Sequence, residues 1–233
     1  MRNYSGSYIK EFIKKILMVS AGVTAAACGV ALFYTMNIGS DPISVFVDGQ
    51  HRILGLSYGT INLLNSIVYF IFILIFSRKL INYATLIAGF AMGPMINFFF
   101  SIFSRYISSD GSLTLQFLAG KGFVFNSVKG DYFTRLLMQI PAVILLGCGL
   151  GLYLSANLGA APLDALVLFI KEKTQKPLRK VKIIFDLAAA AIGFLLGGVA
   201  GIGTIIAILA TGPIVSLTIK TIANLENGME YKK

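Results

Sequence analysis

The residues of this chain that could do chemistry are a few acids and amides set within long apolar runs. Asp186 stands inside such a run, four residues after Lys182. An ionisable residue in a run long enough to cross a membrane is costly and often functional, so Asp186 is a candidate for binding a solute or a proton. The structural alternative is an ion pair, because residues four apart lie on the same face of a helix.

Two further acids stand beside prolines. Asp41 directly precedes Pro42, and Asp164 follows Pro162 by two residues. An acid in the first turn stabilises the positive end of a helix, and Asp41 is well placed to cap one. The functional alternative is that two short helices direct their N-terminal N–H groups at a cavity and form part of a binding site.

A polar stripe recurs at helical spacing in the second long apolar run. It consists of Asn62, Asn65, Ser66 and Tyr69, and Asn97 in the next run could join it. Polar side chains inside a membrane either hydrogen-bond across helices or line a polar pathway. Both interpretations stay open, and we include these five residues among the candidate solute contacts.

The sequence contains few residue patterns that would indicate catalysis or metal binding. The single histidine, His51, has no nucleophile beside it, and Cys28 and Cys148 lie inside apolar runs without metal-ligand spacing. The glycine-rich stretch 197–204 lacks the lysine of a phosphate-binding loop. We therefore predict no catalytic residue, no metal and no cofactor, and a protein that is not an enzyme.

The elements that must position these residues are membrane-spanning helices. The 233 residues are 56% hydrophobic and only 13% charged, with a mean hydropathy of +0.80, whereas soluble domains are about 25% charged. Runs of about 20 apolar residues cross the hydrocarbon core as helices. The sequence predicts an all-α, polytopic membrane protein with spans at 15–37, 58–77, 82–104, 133–157, 181–197 and 201–222, and short helices at 42–54 and 162–175.

The distribution of basic residues predicts the orientation. With the N-terminus inside, fifteen of the 20 Lys and Arg residues lie in cytoplasmic segments, as the positive-inside rule requires. The segments 1–14 and 223–233 are then cytoplasmic, and 105–132 is an extracytoplasmic linker. The net charge of +10 is attributed to topology and to contact with membrane lipid, not to nucleic acid. The expected location is the bacterial cytoplasmic membrane.

The two halves of the chain repeat each other. At an offset of 120 the corner Asn37, Gly39, Pro42 recurs as Asn157, Gly159, Pro162, and further on Gly93-Pro94 recurs as Gly212-Pro213. Each repeat, 15–104 and 133–222, holds three predicted spans. Because three is odd, the second repeat is expected to be inverted, as in many transporters.

The second half also resembles a known family. It contains "ANLGAAPLDALVL", "RKVKIIFDL", "GFLLGGVAGIGT" and "TGP". These stretches resemble the YczE/YitT-type family of bacterial integral membrane proteins, with Ala161 where that family has glycine and Asp186 where it has glutamate. The resemblance implies a six-helix bacterial membrane protein and brings no agreed substrate or mechanism.

The resulting hypothesis is a small secondary transporter or permease. An unidentified small solute would bind between the two repeats, with Asp186, Asn62 and Asn65 contributing to the site. The rival is a membrane scaffold or accessory subunit that transports nothing, and a membrane-embedded enzyme acting on lipid has the least support. A homodimer is compatible with the short length of the chain.

Overall fold

The helices follow one another in the predicted order. The computed structural model describes residues 2–106 and 132–230, so the predicted linker 105–132 lies outside the described residues except at its ends. Within those ranges there are eight α-helices and a 3₁₀ turn at Arg78–Leu80. The helices are α1 (Arg2–Met36), α2 (Pro42–Leu54), α3 (Tyr58–Phe76), α4 (Tyr83–Tyr106), α5 (Tyr132–Ser155), α6 (Pro162–Thr174), α7 (Leu178–Leu195) and α8 (Ile202–Glu230).

Five of these helices are long and apolar enough to cross a membrane, which confirms the all-α membrane class. They cover Ile9–Met36, Tyr58–Phe76, Tyr83–Arg105, Phe133–Ser155 and Ile202–Leu225. The predicted sixth span, 181–197, does form a helix, α7. It falls outside this set because its 18 residues include four charges, at Arg179, Lys180, Lys182 and Asp186.

The two corners that precede the short helices have the same backbone. Asn37 and Asn157 have φ values of 51° and 52°, and Gly39 and Gly159 have φ values of 107° and 108°. A φ near 107° is accessible to glycine and strained for other residues, which explains the recurrence of glycine at this place in the corner. Each corner leads into a helix with proline at its start, where the missing N–H costs nothing.

The corners are held by the first turns of two spans. In the first corner, the Ile38 carbonyl accepts from Gly203 N–H at 3.2 Å, and the Thr204 hydroxyl accepts from Ser40 N–H at 3.2 Å. In the second corner, the Leu158 carbonyl accepts from Ala84 N–H at 3.2 Å. There the Thr85 hydroxyl donates to the Ala160 carbonyl at 2.6 Å. Irregular backbone inside a membrane needs such partners, and both corners find them in equivalent places.

The chain folds back at each corner, so α2 and α6 lie between the spans. α6 begins beside the last turns of α5, where Ala161 N–H donates to the Tyr153 hydroxyl at 2.8 Å. It ends beside the end of α3, where the Glu172 and Lys79 side chains are 2.9 Å apart. α2 runs along α7, and Gly49 of α2 packs against the Gly193 carbonyl of α7. We call α2 and α6 the half-helices.

The helices α1 and α5 pack closely and run antiparallel. A Cβ on Gly22 would lie 2.6 Å from the Gly149 carbonyl oxygen, and one on Gly29 would lie 2.6 Å from the Ala142 carbonyl oxygen. Residue numbers thus fall along α5 as they rise along α1. Small residues let backbones approach in this way, which gives a contact that a methyl group would disrupt.

We predict that Gly149→Ala destabilises the protein while Gly212→Ala does not. A Cβ at 149 would meet Ala26 N at 2.4 Å, whereas one at 212 has nothing within 4 Å. Both changes gain similar helix propensity, so their difference isolates the clash, which should cost about 1–3 kcal/mol. Thermal unfolding in detergent, followed by size-exclusion chromatography, measures this difference. Equal midpoints for the two variants would contradict the tight α1–α5 contact.

Candidate functional site

One of the acids predicted as site residues forms an ion pair with a lysine, and two others lie near enough for their charges to act on that lysine. The Lys182 Nζ atom lies 2.8 Å from the Asp186 Oδ1 atom, and the charges of Asp164 and Asp41 also act on Lys182. These side chains come from α7, from the first turn of α6 and from the residue that caps α2. We call Asp41, Asp164, Lys182 and Asp186 the central charge cluster. The ion pair that was the structural alternative for Asp186 is therefore present.

Asp164 is positioned by Tyr153. The Tyr153 hydroxyl donates to Asp164 Oδ2 at 2.9 Å and accepts from Ala161 N–H at 2.8 Å. The Tyr153 side chain is buried, so both bonds are shielded from water. One phenol therefore connects the end of α5 to the first turn of α6 and leaves one Asp164 oxygen for another partner.

Asp41 is positioned as a helix cap, as predicted. Its carboxylate accepts from Ser44 N–H at 3.3 Å and from the Ser44 hydroxyl. Ser44 stands 120 positions before Asp164, so the two half-helices carry different polar groups at the same place.

The central charge cluster has more negative than positive charge. The cluster contains three carboxylates and one ammonium when all are ionised, and the positive ends of two helices offset about one unit of the excess negative charge. The Lys182 side chain is 40% exposed and that of Asp186 is 24% exposed, so the pair is not sealed in the protein. Such a site suits a cation or a proton. Within the described residues no group of three or more His, Cys, Asp and Glu side chains could hold a metal ion.

The predicted polar stripe divides into two groups. Asn65 exchanges hydrogen bonds with Gln50 of α2, at 2.7 and 3.3 Å. Asn97 accepts from the Gly59 N–H at 2.8 Å and so joins α4 to the start of α3. These two amides hold helices together. The other three members, Asn62, Ser66 and Tyr69, are half-buried and make no side-chain hydrogen bond to the part of the chain that the structure describes.

Asn62 and Ser66 are the counterparts of the ion pair in the other repeat. α3 and α7 begin 120 positions apart, so Asn62 corresponds to Lys182 and Ser66 to Asp186. Asn65, on the same side of α3, bonds to Gln50 of the half-helix α2. The structure thus places a neutral polar pair and a charged pair at equivalent points of two equivalent helices.

One buried network was missed from the sequence. Asp48 is 4% exposed and accepts from Arg52 Nε at 3.2 Å, from the Tyr58 hydroxyl at 3.3 Å and from Val199 N–H at 2.7 Å. It ties α2 to α3 and to the turn between α7 and α8. The four-residue spacing of Asp48 and Arg52 was the one available signal, because Val199 is 151 positions away.

We predict that Asp48→Ala lowers the unfolding midpoint of the purified protein. The change leaves Val199 N–H and the Tyr58 hydroxyl without their acceptor, which should cost about 1–3 kcal/mol. The control is Glu172→Ala, which removes the exposed ion pair with Lys79 and should cost at most about 1 kcal/mol. If the two variants lose equal stability, the Asp48 network does not join these elements.

Several apolar helices long enough to span a membrane define the class of this chain, a helical membrane protein. It belongs to the family of unknown function named DUF6198, which matches residues 13–220. No solved structure matches it.

Relatives with curated sequences are themselves uncharacterised. The chain is 33% identical to an uncharacterised protein of Haemophilus influenzae over 43% of its own length and 46% of that protein. It is 30% identical to the uncharacterised membrane protein YczE of Bacillus subtilis over 58% of its length and 65% of YczE. It is 21% identical to YyaS of the same organism, over 85% of its length and 89% of that protein. The chain thus spans less than two thirds of the first two, and its resemblance to YczE-type proteins is confirmed.

Proposed function

We propose that this protein is a secondary transporter or permease that binds a small solute at the central charge cluster. The observation that carries the proposal is the Lys182–Asp186 ion pair, on which the charges of Asp41 and Asp164 act from the starts of the two half-helices. Charges at the depth of apolar spans are costly, and they are typical of pathways for solutes, ions or protons.

The half-helices support this proposal. Each has buried residues in its first turn and exposed residues in its last turn, and Asp41 and Asp164 lie at the two N-terminal ends. Transporters often bind their substrates between such discontinuous helices near the middle of the membrane. Tyr153 fixes the start of α6, and the cap by Asp41 fixes the start of α2.

The contacts of α1 and α5 favour two inverted repeats. At the offset of 120, Gly22 corresponds to Ala142 and Gly29 corresponds to Gly149. The contact of Gly22 with Gly149 is therefore the counterpart of the contact of Ala142 with Gly29. Equivalent helices that run antiparallel are expected when a two-fold axis lies in the membrane plane. In this proposal α7 is the sixth span, its Lys182 and Asp186 turned to the half-helices, and both termini are cytoplasmic as the basic residues predict.

The charge of the cluster points to the class of solute. Its excess of carboxylates favours a small cationic solute, or a proton that moves with the solute. The sequence contains no nucleotide-binding motif, so energy would come from an ion gradient or from the solute gradient itself.

The scaffold alternative has one observation in its favour. Asn65 and Asn97, both predicted as solute contacts, join helices to one another. In a scaffold the remaining polar groups would serve packing in the same way, and no solute would change the stability of the protein.

We predict that small organic cations stabilise the purified protein and that Asp186→Asn abolishes the effect. Primary and quaternary amines are screened by thermal shift in detergent, and those that stabilise are tested for counterflow in proteoliposomes. Loss of one ionic contact should weaken binding about tenfold or more. Glu172→Gln, an acid on the exposed part of α6, is the matched control. Stabilisation that persists in Asp186→Asn, or no stabilisation by any amine, contradicts the proposed site.

A second prediction tests the inversion. Single cysteines replace Leu56, after α2, and Lys176, after α6, in a Cys28→Ser, Cys148→Ser background; both positions are exposed. A membrane-impermeant maleimide should label position 56 in intact cells and position 176 only after permeabilisation. Labelling of both or neither in intact cells would contradict inverted repeats.

A further inference from the structure

The two repeats pack their second and third spans differently. In the first repeat α3 lies against α4, where a Cβ on Gly59 would be 2.0 Å from the Gly93 carbonyl oxygen. In the second repeat α7 makes no comparable contact with α8. Gly212 corresponds to Gly93, and it has open space around it.

Side chains show the same difference. Asn97 binds the Gly59 N–H, whereas Ser216, its counterpart, makes no side-chain hydrogen bond to the described residues. Leu63 packs against Gly93 and is half-buried. Its counterpart Ile183 is 48% exposed. The contact that joins α3 to α4 is therefore missing between α7 and α8, although a glycine is kept at the matching place.

The helices form one scaffold and two arms. α1, α4, α5 and α8 pack on one another, whereas α2 packs along α7 and α6 packs along α3. Asp48 and the glycine contacts of Gly193 and Gly198 bind α2 to the C-terminal end of α7. The α3–α6 arm lies against α4, and the α2–α7 arm stands away from α8.

We propose that the protein has a second state in which α7 closes on α8 and α3 separates from α4. Arg179 stands where the first repeat has Gly59, so α7 approaches α8 less closely in that state than α3 approaches α4 here. The described structure is then one of two related states. This inference rests on the inverted repeats of the proposed function. Because α7 carries Lys182 and Asp186, its movement changes which side of the protein has access to the central charge cluster, the rocking motion expected of repeat transporters.

A cross-link between positions 179 and 216, now Arg179 and Ser216, would report the second state. These positions correspond to Gly59 and Asn97, which touch in the closed first repeat. Cysteines replace both in a Cys28→Ser, Cys148→Ser background, and cross-linking is measured in native membranes with a short bis-maleimide. We expect a fraction of chains to form the intramolecular cross-link.

Gly59→Ala should raise that fraction several-fold. Its new methyl group cannot coexist with the Gly93 carbonyl at the present spacing, so α3 is driven from α4 and the population shifts. Asn97→Ala, which removes one hydrogen bond without adding bulk, should act in the same direction and serves if Gly59→Ala does not fold. Gly212→Ala is the matched control: it meets nothing here but crowds the closed α7–α8 contact, so it should lower cross-linking.

Three outcomes overturn the proposal. They are the absence of the intramolecular cross-link in every variant, a cross-link between two chains in its place, and a cross-link that neither Gly59→Ala nor Asn97→Ala increases. The readout needs no solute, so it is independent of the thermal-shift test. If Gly59→Ala or Asn97→Ala raises the cross-link but no amine stabilises the protein, the proposal of two states stands and the proposed class of solute is rejected.

Discussion

The structure depends on pairing irregular backbone inside an apolar environment. A chain that turns back within a membrane exposes N–H and carbonyl groups that must find partners, and each unpaired group costs several kcal/mol, roughly. Here the Ile38 and Leu158 carbonyls bond the first turns of α8 and α4. With the corners satisfied, both half-helices begin near α7, where the charges of Asp41 and Asp164 act on Lys182. The central charge cluster follows from that arrangement.

The cluster combines a paired charge with charges that have no ionic partner in contact with them among the described residues. The Lys182–Asp186 pair satisfies the requirement that charges inside an apolar bundle be paired, while Asp164 and Asp41 add negative charge that this pair does not neutralise. Tyr153 and Ser44 hold the two additional acids in position through hydrogen bonds. The excess negative charge is the part of the cluster that the proposed solute or proton would neutralise.

Packing of small residues explains both the rigid and the movable parts. Glycines at 22 and 149 bring α1 and α5 into a contact with no room for a methyl group, which makes them a fixed centre. Gly59 and Gly93 make a similar contact between α3 and α4. Gly212, the counterpart of Gly93, has open space where a Cβ would stand. Packing in this arrangement does not explain why position 212 is a glycine. The proposed closure of α7 on α8 would explain it, because Gly212 would then lie in a helix contact.

The sequence by itself determined the helical membrane class, the half-helix bounds and the repeated corners, because apolar run length, proline and glycine act locally. It also indicated Asp41 as a cap, since capping involves residues three apart. It did not show that Asp164 and Asp186 share one lysine, that Asp48 holds Val199, or that Asn65 is taken by Gln50. Those contacts join residues from different helices, and no local pattern records them. Tertiary structure alone decided which polar residues pair with one another and which make no side-chain hydrogen bond within the described residues.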